Sequence, residues 1–315
     1  MVRKTKREKS SISTIISILL IATAVLIFRT FIPPGYQPSL VKDFEEKSVP
    51  PDAPVSIPFD RLHSPYAILI RLNDGVVVER NSEEVVYPAS LTKIMTAVVA
   101  LESLPDLQKE IILTNEMFEG LYEANASMAG FQPGEKVRAI DLLYGVLLPS
   151  GAEACRALAS EIAGSEQDFV SLMNQKAAEL GMSNTHFTNA TGLHQKSHYT
   201  TVKDIAVLLC YALQNDTFRE IFTSSRHSTP PTNIHPDGIT FYSTLFKELD
   251  HPQVNGGEIM GGKTGYTDKA GLCLASLARV DGQEYILVTA GAKGDHTEQH
   301  NITDALMVYN SLAGN

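Results

Sequence analysis

Three cysteines in 315 residues are too few for a disulfide framework. Cys155, Cys210 and Cys273 stand far apart, each inside an apolar run and none in a C-x-x-C pair, which reads as buried thiols rather than metal ligands or redox partners. A single disulfide among them stays open. Positive charge is also scarce beyond the first residues. The first 31 residues hold six basic side chains (Arg3, Lys4, Lys6, Arg7, Lys9, Arg29) against one acid, Glu8, so the net charge of −10 is a surplus of +5 there set against −15 in the rest. An acidic body of this kind excludes nucleic acid as the expected partner. Internal repeats and low-complexity tracts are absent, and at 43% hydrophobic residues the chain can bury at least one full core.

Ile12 to Phe28 carries no charge, and Phe31 and Ile32 extend the apolar stretch past Arg29. A spanning helix needs about 20 apolar residues, and an arginine near its end can snorkel to the interface. The expected organisation is therefore a cytoplasmic basic head at 1–11, a transmembrane signal anchor at 12–32 and everything later outside. A cleaved signal peptide, with Ala22-Thr23-Ala24 as the site, is the competing reading, although cleavage there leaves Val25 to Phe28 as an apolar new terminus. Seven prolines between Pro33 and Pro58 mark a semi-rigid linker, 33–60, and the folded body is expected over 61–315.

Strand-like runs at Tyr66 to Leu72 and Val76 to Glu79 flank Asn73-Asp74-Gly75, a hairpin signal. A buried helix follows at Leu91 to Leu101. The middle is helical: Ile140 to Leu148, Glu153 to Ile162, Ser165 to Leu180 and Thr201 to Leu213, the last two opened by the capping patterns Ser165-x-x-Asp168 and Thr201-x-x-Asp204. Strands return at Ile259 to Lys263, Leu272 to Val280 and Tyr285 to Ala290, and Thr297 to Leu312 closes as a helix. Strands at both ends with helices between predict an α+β fold, an antiparallel sheet built from both chain ends, flanked by helices, with an inserted helical lobe.

Ser90-Leu91-Thr92-Lys93 is an S-x-x-K at the start of the first buried helix. Residues three apart on a helix are neighbours, so the amine can reach the hydroxyl. A serine needs such a base, and a lysine serves as one when burial lowers its pKa. The same pattern in Ser39-Leu40-Val41-Lys42 lies in the linker and lacks that setting. Lys263-Thr264-Gly265 ends a glycine-led apolar strand, where an ammonium and a hydroxyl can meet a substrate carboxylate and glycine permits close approach.

S-x-x-K with K-T-G belongs to the signature of penicillin-binding proteins and class A β-lactamases. The surrounding runs extend the match: Tyr87-Pro88-Ala89-Ser90, Pro133-Gly134-Glu135, Leu148-Pro149-Ser150-Gly151, Leu180-Gly181-Met182, Gly192-Leu193, His198-Tyr199-Thr200-Thr201 and Gly262-Lys263-Thr264-Gly265-Tyr266-Thr267. From Tyr66 to Leu312 the chain resembles the low-molecular-weight D-alanyl-D-alanine carboxypeptidases, serine peptidase family S11. The resemblance implies a β-lactamase/transpeptidase-like fold and removal of the terminal D-alanine from peptidoglycan stem pentapeptides, with penicillin and other β-lactams as covalent inhibitors. It further implies Ser90 as nucleophile, Lys93 as its base, Ser150 as proton relay to the leaving amine, and Lys263 and Thr264 as carboxylate holders. Gly265 and Tyr266 complete the substrate strand, with backbone N–H groups of Ser90 and Tyr266 as oxyanion hole. No metal and no organic cofactor is implied. A bacterial envelope location follows, tethered by the amino-terminal helix.

One position departs from the pattern. The family's S-x-N reads Ser150-Gly151-Ala152 here, followed by Glu153 where the family has aspartate. An alanine methyl can neither orient the lysine nor donate to substrate, and losing one preorganised donor costs about 100- to 1000-fold in turnover in other enzymes. The expectation is an active carboxypeptidase in which water or another side chain replaces the amide, with a weak enzyme of altered substrate and a degenerate binding protein as alternatives. No E-x-x-L-N string occurs, so a long-lived penicilloyl-Ser90 is expected. His186, His194 and His198 read as structural, and Lys293 and His296 as secondary candidates for carboxylate binding.

Overall fold

The computed structural model describes residues 57–294 and 298–314. The expected head (1–11), the expected span (12–32), the second S-x-x-K at Ser39 and the linker up to residue 56 lie outside the described residues. Among those described, no helix is long and apolar enough to cross a membrane.

The folded chain opens with a 3-10 turn, Phe59–Arg61, whose Phe59 is already buried. Strand β1 (Tyr66–Arg71) turns into β2 (Gly75–Arg80) through Asn73-Asp74-Gly75, where Asn73 and Gly75 have positive φ. Then come helix α1 (Thr92–Ser103), a short pair β3 (Glu110–Ile112) and β4 (Lys136–Arg138), and helices α2 (Ala139–Leu147), α3 (Ala152–Ala163), α4 (Glu166–Glu179), α5 (Val202–Ala212) and α6 (Asp216–Thr223). A second pair, β5 (Arg226–Ser228) and β6 (Thr240–Tyr242), and helix α7 (Thr244–Glu248) lead to β7 (Gln253–Val254), β8 (Gly257–Thr267), β9 (Gly271–Val280) and β10 (Gln283–Ala292). Helix α8 (His300–Asn310) closes the described chain.

The main sheet has the order β2-β1-β10-β9-β8-β7, with every pair antiparallel. Its middle joins the two ends of the described chain, Tyr66 of β1 opposite Ala290 of β10. This is the expected α+β plan. The capping expectations also hold: Ser165 and Thr201 accept the amides of Asp168 and Asp204. The expected strand ending at Lys263 runs on instead through Lys263-Thr264-Gly265 to Thr267, because β9 supplies partners as far as Gly271. The two short strand pairs and α6 and α7 escaped expectation, since three-residue strands and helices of eight and five residues leave little readable period.

Alternation along β1 explains the layering. Ile68 and Ile70 point into the core shared with the helical lobe, whereas Ala67 and Leu69 face a second core under α8. Each such fully buried aliphatic side chain contributes about 1.5–3 kcal/mol, so the sheet is held from both faces. α8 is fixed further by polar bonds. The buried Tyr309 hydroxyl lies 2.9 Å from Ser276 Oγ. Asp304 accepts the amides of His63 (2.9 Å) and Ser64 (2.8 Å), and His63 Nδ1 lies 3.0 Å from the same carboxylate. These bonds clamp the entry of β1 to the closing helix. Asp304→Ala strands those buried amides and is expected to lower the unfolding free energy by about 2–4 kcal/mol. Urea titration checks this, and a loss under about 1 kcal/mol would show that the clamp is dispensable.

Candidate active site

Ser90 sits in a 3-10 turn, Ala89–Leu91, that feeds directly into α1. The turn begins on strained backbone: Ala89 has φ of 47°, a region costly for a residue with a Cβ. Two neighbours hold it. Thr92 Oγ1 donates to Ala89 O at 2.8 Å and itself lies 2.8 Å from His198 Nε2. The Thr188 amide donates to His198 Nδ1 at 3.0 Å, so the ring proton resides on Nε2 and points at Thr92. Burial holds the His198 pKa down at about 4, which keeps the ring neutral and this chain of donors in one direction. From the other side, Gly192 (φ 82°) presses its backbone on the turn; a Cβ there would stand 2.0 Å from Ala89 O.

Lys93 follows one helical turn after Ser90, and its Nζ lies 3.1 Å from Ser90 Oγ. The side chain is 2% exposed. Burial pushes its pKa below the ordinary lysine range, while Cys155 and Glu153 on α3 act in the opposite sense. Nζ also donates to the Thr191 carbonyl at 2.6 Å. Sequence reasoning missed this second contact, because a backbone carbonyl has no residue-type signature.

Lys263 is fully buried within β8, its Nζ donating to Thr264 O at 2.9 Å. Burial first, and then the charge of Lys93, drives its pKa far below the usual value. Two amines whose charged forms burial disfavours thus act on one another in a low-dielectric region. A carboxylate entering it would favour their charged forms, as Glu153 already does for Lys93 and Glu248 for Lys263. Thr264 Oγ1 lies 2.7 Å from Thr244 Oγ1, and the Thr244 amide donates to Leu148 O, which ties the K-T-G strand to the loop carrying Ser150. β7 pairs with β8 only at Gly257 and Glu258, so beyond them the outer edge of β8 has no strand neighbour. Gly265 meets the nucleophile turn: a Cβ there would approach Ser90 N to 3.1 Å. The Tyr266 hydroxyl donates to Asp268 at 3.1 Å.

Ser150 lies between α2 and α3 with φ of 69°, and its buried hydroxyl meets no hydrogen-bond partner among the described residues. Hydrogen bonds therefore join Ser90 and Lys93 but leave Ser150 apart from both. The Ala152 methyl is 1% exposed. Glu153 accepts the amides of Ala129 (2.7 Å) and Gly130 (2.9 Å), and burial pushes its pKa up. The three cysteines are free, buried thiols whose pKa burial pushes up to about 12. His186 contacts Ser197 O and His194 packs edge-on against Tyr87, so each histidine of that cluster is engaged separately. Among the described residues no group of three metal-binding side chains assembles. Lys293 lines a cleft of about 440 Å³ with Tyr66, Tyr87, Tyr266 and Lys269. His296 lies outside the described residues.

Comparison with known proteins gives the family and the fold. Residues 53–294 match the family model of peptidase S11, described as D-alanyl-D-alanine carboxypeptidase. The chain is 34% identical over 245 residues to D-alanyl-D-alanine carboxypeptidase DacF of Bacillus subtilis (strain 168), covering 76% of this chain and 60% of that protein. To DacC of Escherichia coli (strain K12) it is 34% identical over 235 residues, covering 70% and 54%. It thus spans a little over half the length of these relatives. Among solved structures, the DD-transpeptidase of Streptomyces K15 superimposes with a TM-score of 0.71 at 25% identity, covering 79% of this chain and 97% of that one. The D-alanyl-D-alanine carboxypeptidase of Mycobacterium tuberculosis H37Rv gives 0.71 at 27% identity, covering 84% and 95%. The fold is the β-lactamase/transpeptidase-like fold of the DD-peptidases. With a match over most of its length, this chain belongs to peptidase family S11, the D-alanyl-D-alanine carboxypeptidases.

Proposed function

We propose that this chain is a serine-type carboxypeptidase that removes the terminal D-alanine from peptidoglycan stem pentapeptides and is acylated by penicillin at Ser90. The observation that carries the reading is the buried Lys93 amine 3.1 Å from the Ser90 hydroxyl. Ser90 Oγ attacks the carbonyl between the two D-alanines while its proton passes to Lys93 Nζ. Backbone amides of Ser90 and Tyr266 stabilise the oxyanion. The C–N bond then breaks, and Ser150, whose hydroxyl has no competing partner, relays a proton to the departing amine. Lys263 and Thr264 hold the terminal carboxylate, with Gly265 admitting the substrate backbone. Water finally hydrolyses the ester and restores Ser90.

The proposed setting is the bacterial envelope. Residues 12–32 anchor the chain in the membrane, and the proline-rich linker carries the catalytic part, 61–315, on the outer side. Charge asymmetry and the uncharged stretch from Ile12 to Phe28 support this. A second reading, a penicillin-binding sensor without turnover, draws on the buried Ala152 methyl in place of an amide.

Release of D-alanine from a pentapeptide separates the two readings. Wild type is expected to release it and Ser90→Ala to release none; an inactive wild type that still labels with fluorescent penicillin would favour the sensor. Lys93→Ala is expected to slow acylation by about 100- to 10,000-fold, the usual worth of a positioned base. Because only neutral Lys93 accepts the proton and its pKa is lowered, acylation should rise with pH and level off below the ordinary lysine value of about 10.4. A rate that has not levelled off by that pH would show an unperturbed amine. Ala152→Asn should leave penicillin acylation equal or faster in stopped-flow assays, and a sharp loss would mean that the site uses a different geometry.

A further inference from the structure

With an alanine at position 152, some other group must aim the base. The Lys93 amine is enclosed, and beyond Ser90 Oγ its hydrogen-bond partner is the Thr191 carbonyl at 2.6 Å. The precision of Ser90–Lys93 therefore depends on how firmly that carbonyl is held. It belongs to a tight turn, residues 189–193, outside every helix and strand.

The turn is organised around one side chain. Asn189 Oδ1 accepts the Thr191 amide (3.1 Å), the Thr191 hydroxyl (3.0 Å) and the Gly192 amide (2.8 Å). Its Nδ2 donates to Leu193 O at 2.9 Å. All four bonds of the 8%-exposed amide thus stay within the turn. Such Asx geometry lets a side chain replace missing backbone pairing. Residue 190 anchors the turn to its neighbours, Thr96 Oγ1 on α1 donating to Ala190 O at 2.7 Å and the Ala190 amide donating to Glu166 at 3.0 Å. Behind the turn the protein is open. A cleft of about 330 Å³ lined by Arg156, Glu166, Gln167, Thr188 and Gln195 borders Asn189 and Thr191. Thr96 and Glu166 hold the turn at residue 190, and the Asn189 amide holds it at Thr191 and Gly192, next to the carbonyl that Lys93 meets.

We infer that Asn189 is a positioning residue that locks the turn presenting the Thr191 carbonyl to Lys93, in place of the amide that position 152 lacks. The inference rests on the reading of Lys93 as the base. The same turn carries Gly192, whose backbone seats against Ala89 O, so Asn189 steadies the base and the nucleophile turn together. Charged and titratable groups facing Lys93 from the packed elements are Lys263 on β8, Glu153 and Cys155 on α3, and neutral His198 before α5. None of them changes in the variants below.

The test is the pH dependence of penicillin acylation by wild type, Asn189→Ala and Asn189→Ser, with the fraction of labelled sites measured in parallel. A carbonyl acceptor favours the protonated amine, since a charge-assisted bond is stronger than a neutral one. Losing it lowers the Lys93 pKa and moves the acid limb to lower pH. For Asn189→Ala the expected result is a plateau rate about 10- to 100-fold lower, as a misplacement near 1 Å produces, with the limb about one pH unit lower and full site labelling. Serine accepts the same amides more weakly and keeps the turn, so Asn189→Ser should fold even where alanine does not and should lie between the two in rate and limb position. An unmoved or raised limb in Asn189→Ser, or a drop confined to the number of labelled sites, would reduce Asn189 to a structural role and overturn the inference. A wild type that fails to acylate sinks the carboxypeptidase reading itself, and this inference with it.

Discussion

An amine stripped of water beside a serine hydroxyl is the constraint around which this protein is built. Lys93 is enclosed by α1, α3 and the chain before α5, and burial alone makes its charged form unfavourable. A neutral lysine is what a serine needs as a proton acceptor. The same burial demands hydrogen-bond partners, because an unmet buried polar group costs about 1–3 kcal/mol. Lys93 finds Ser90 Oγ and the Thr191 carbonyl, and Lys263 finds the carbonyl of Thr264. Loops that look irregular in a strand and helix description are therefore ordered by what the two lysines require.

Strain collects around that pair. Ala89 and Ser150 both adopt positive φ although neither is glycine, Ala89 directly before Ser90 and Ser150 just before α3 and its Ala152. Ala89 is braced by the donor chain running from Thr188 through His198 and Thr92 to its carbonyl. Ser150 is braced from below: Ala152 donates to Ser127 O, and Glu153 accepts two amides of the same loop. A turn strained in this way cannot relax without breaking several bonds at once, which keeps the hydroxyls in place before substrate arrives.

The sheet gives the site its second half. β8 is paired by β9 along its length, while β7 covers only its beginning, so among the described residues Lys263 to Tyr266 lie on a strand edge, and Gly265 faces the Ser90 turn. Gly265 makes the approach to Ser90 possible, since any side chain would meet its amide. The edge would invite pairing with other chains in most proteins. Here Gly265 packs against the Ala89–Leu91 turn and Thr264 Oγ1 lies 2.7 Å from Thr244 Oγ1, so neighbouring segments engage this stretch of the strand.

Much of this was legible beforehand. The period-two pattern of β1, the Asp-Gly turns, the capping serine and threonine and the three-residue spacing of Ser90 and Lys93 are local properties, and local physics determines them. The K-T-G run could be placed on a strand but not inside one, because where a strand stops depends on how far its partner accompanies it. Convergence was the larger gap. Nothing in the spacing of residues 93, 191 and 263 says that two amines and a backbone carbonyl share one enclosed space, nor that an asparagine at 189 holds that carbonyl. Residue types encode side-chain chemistry and local conformation, whereas burial, close approach of glycines and the use of a main-chain oxygen exist only once distant segments pack.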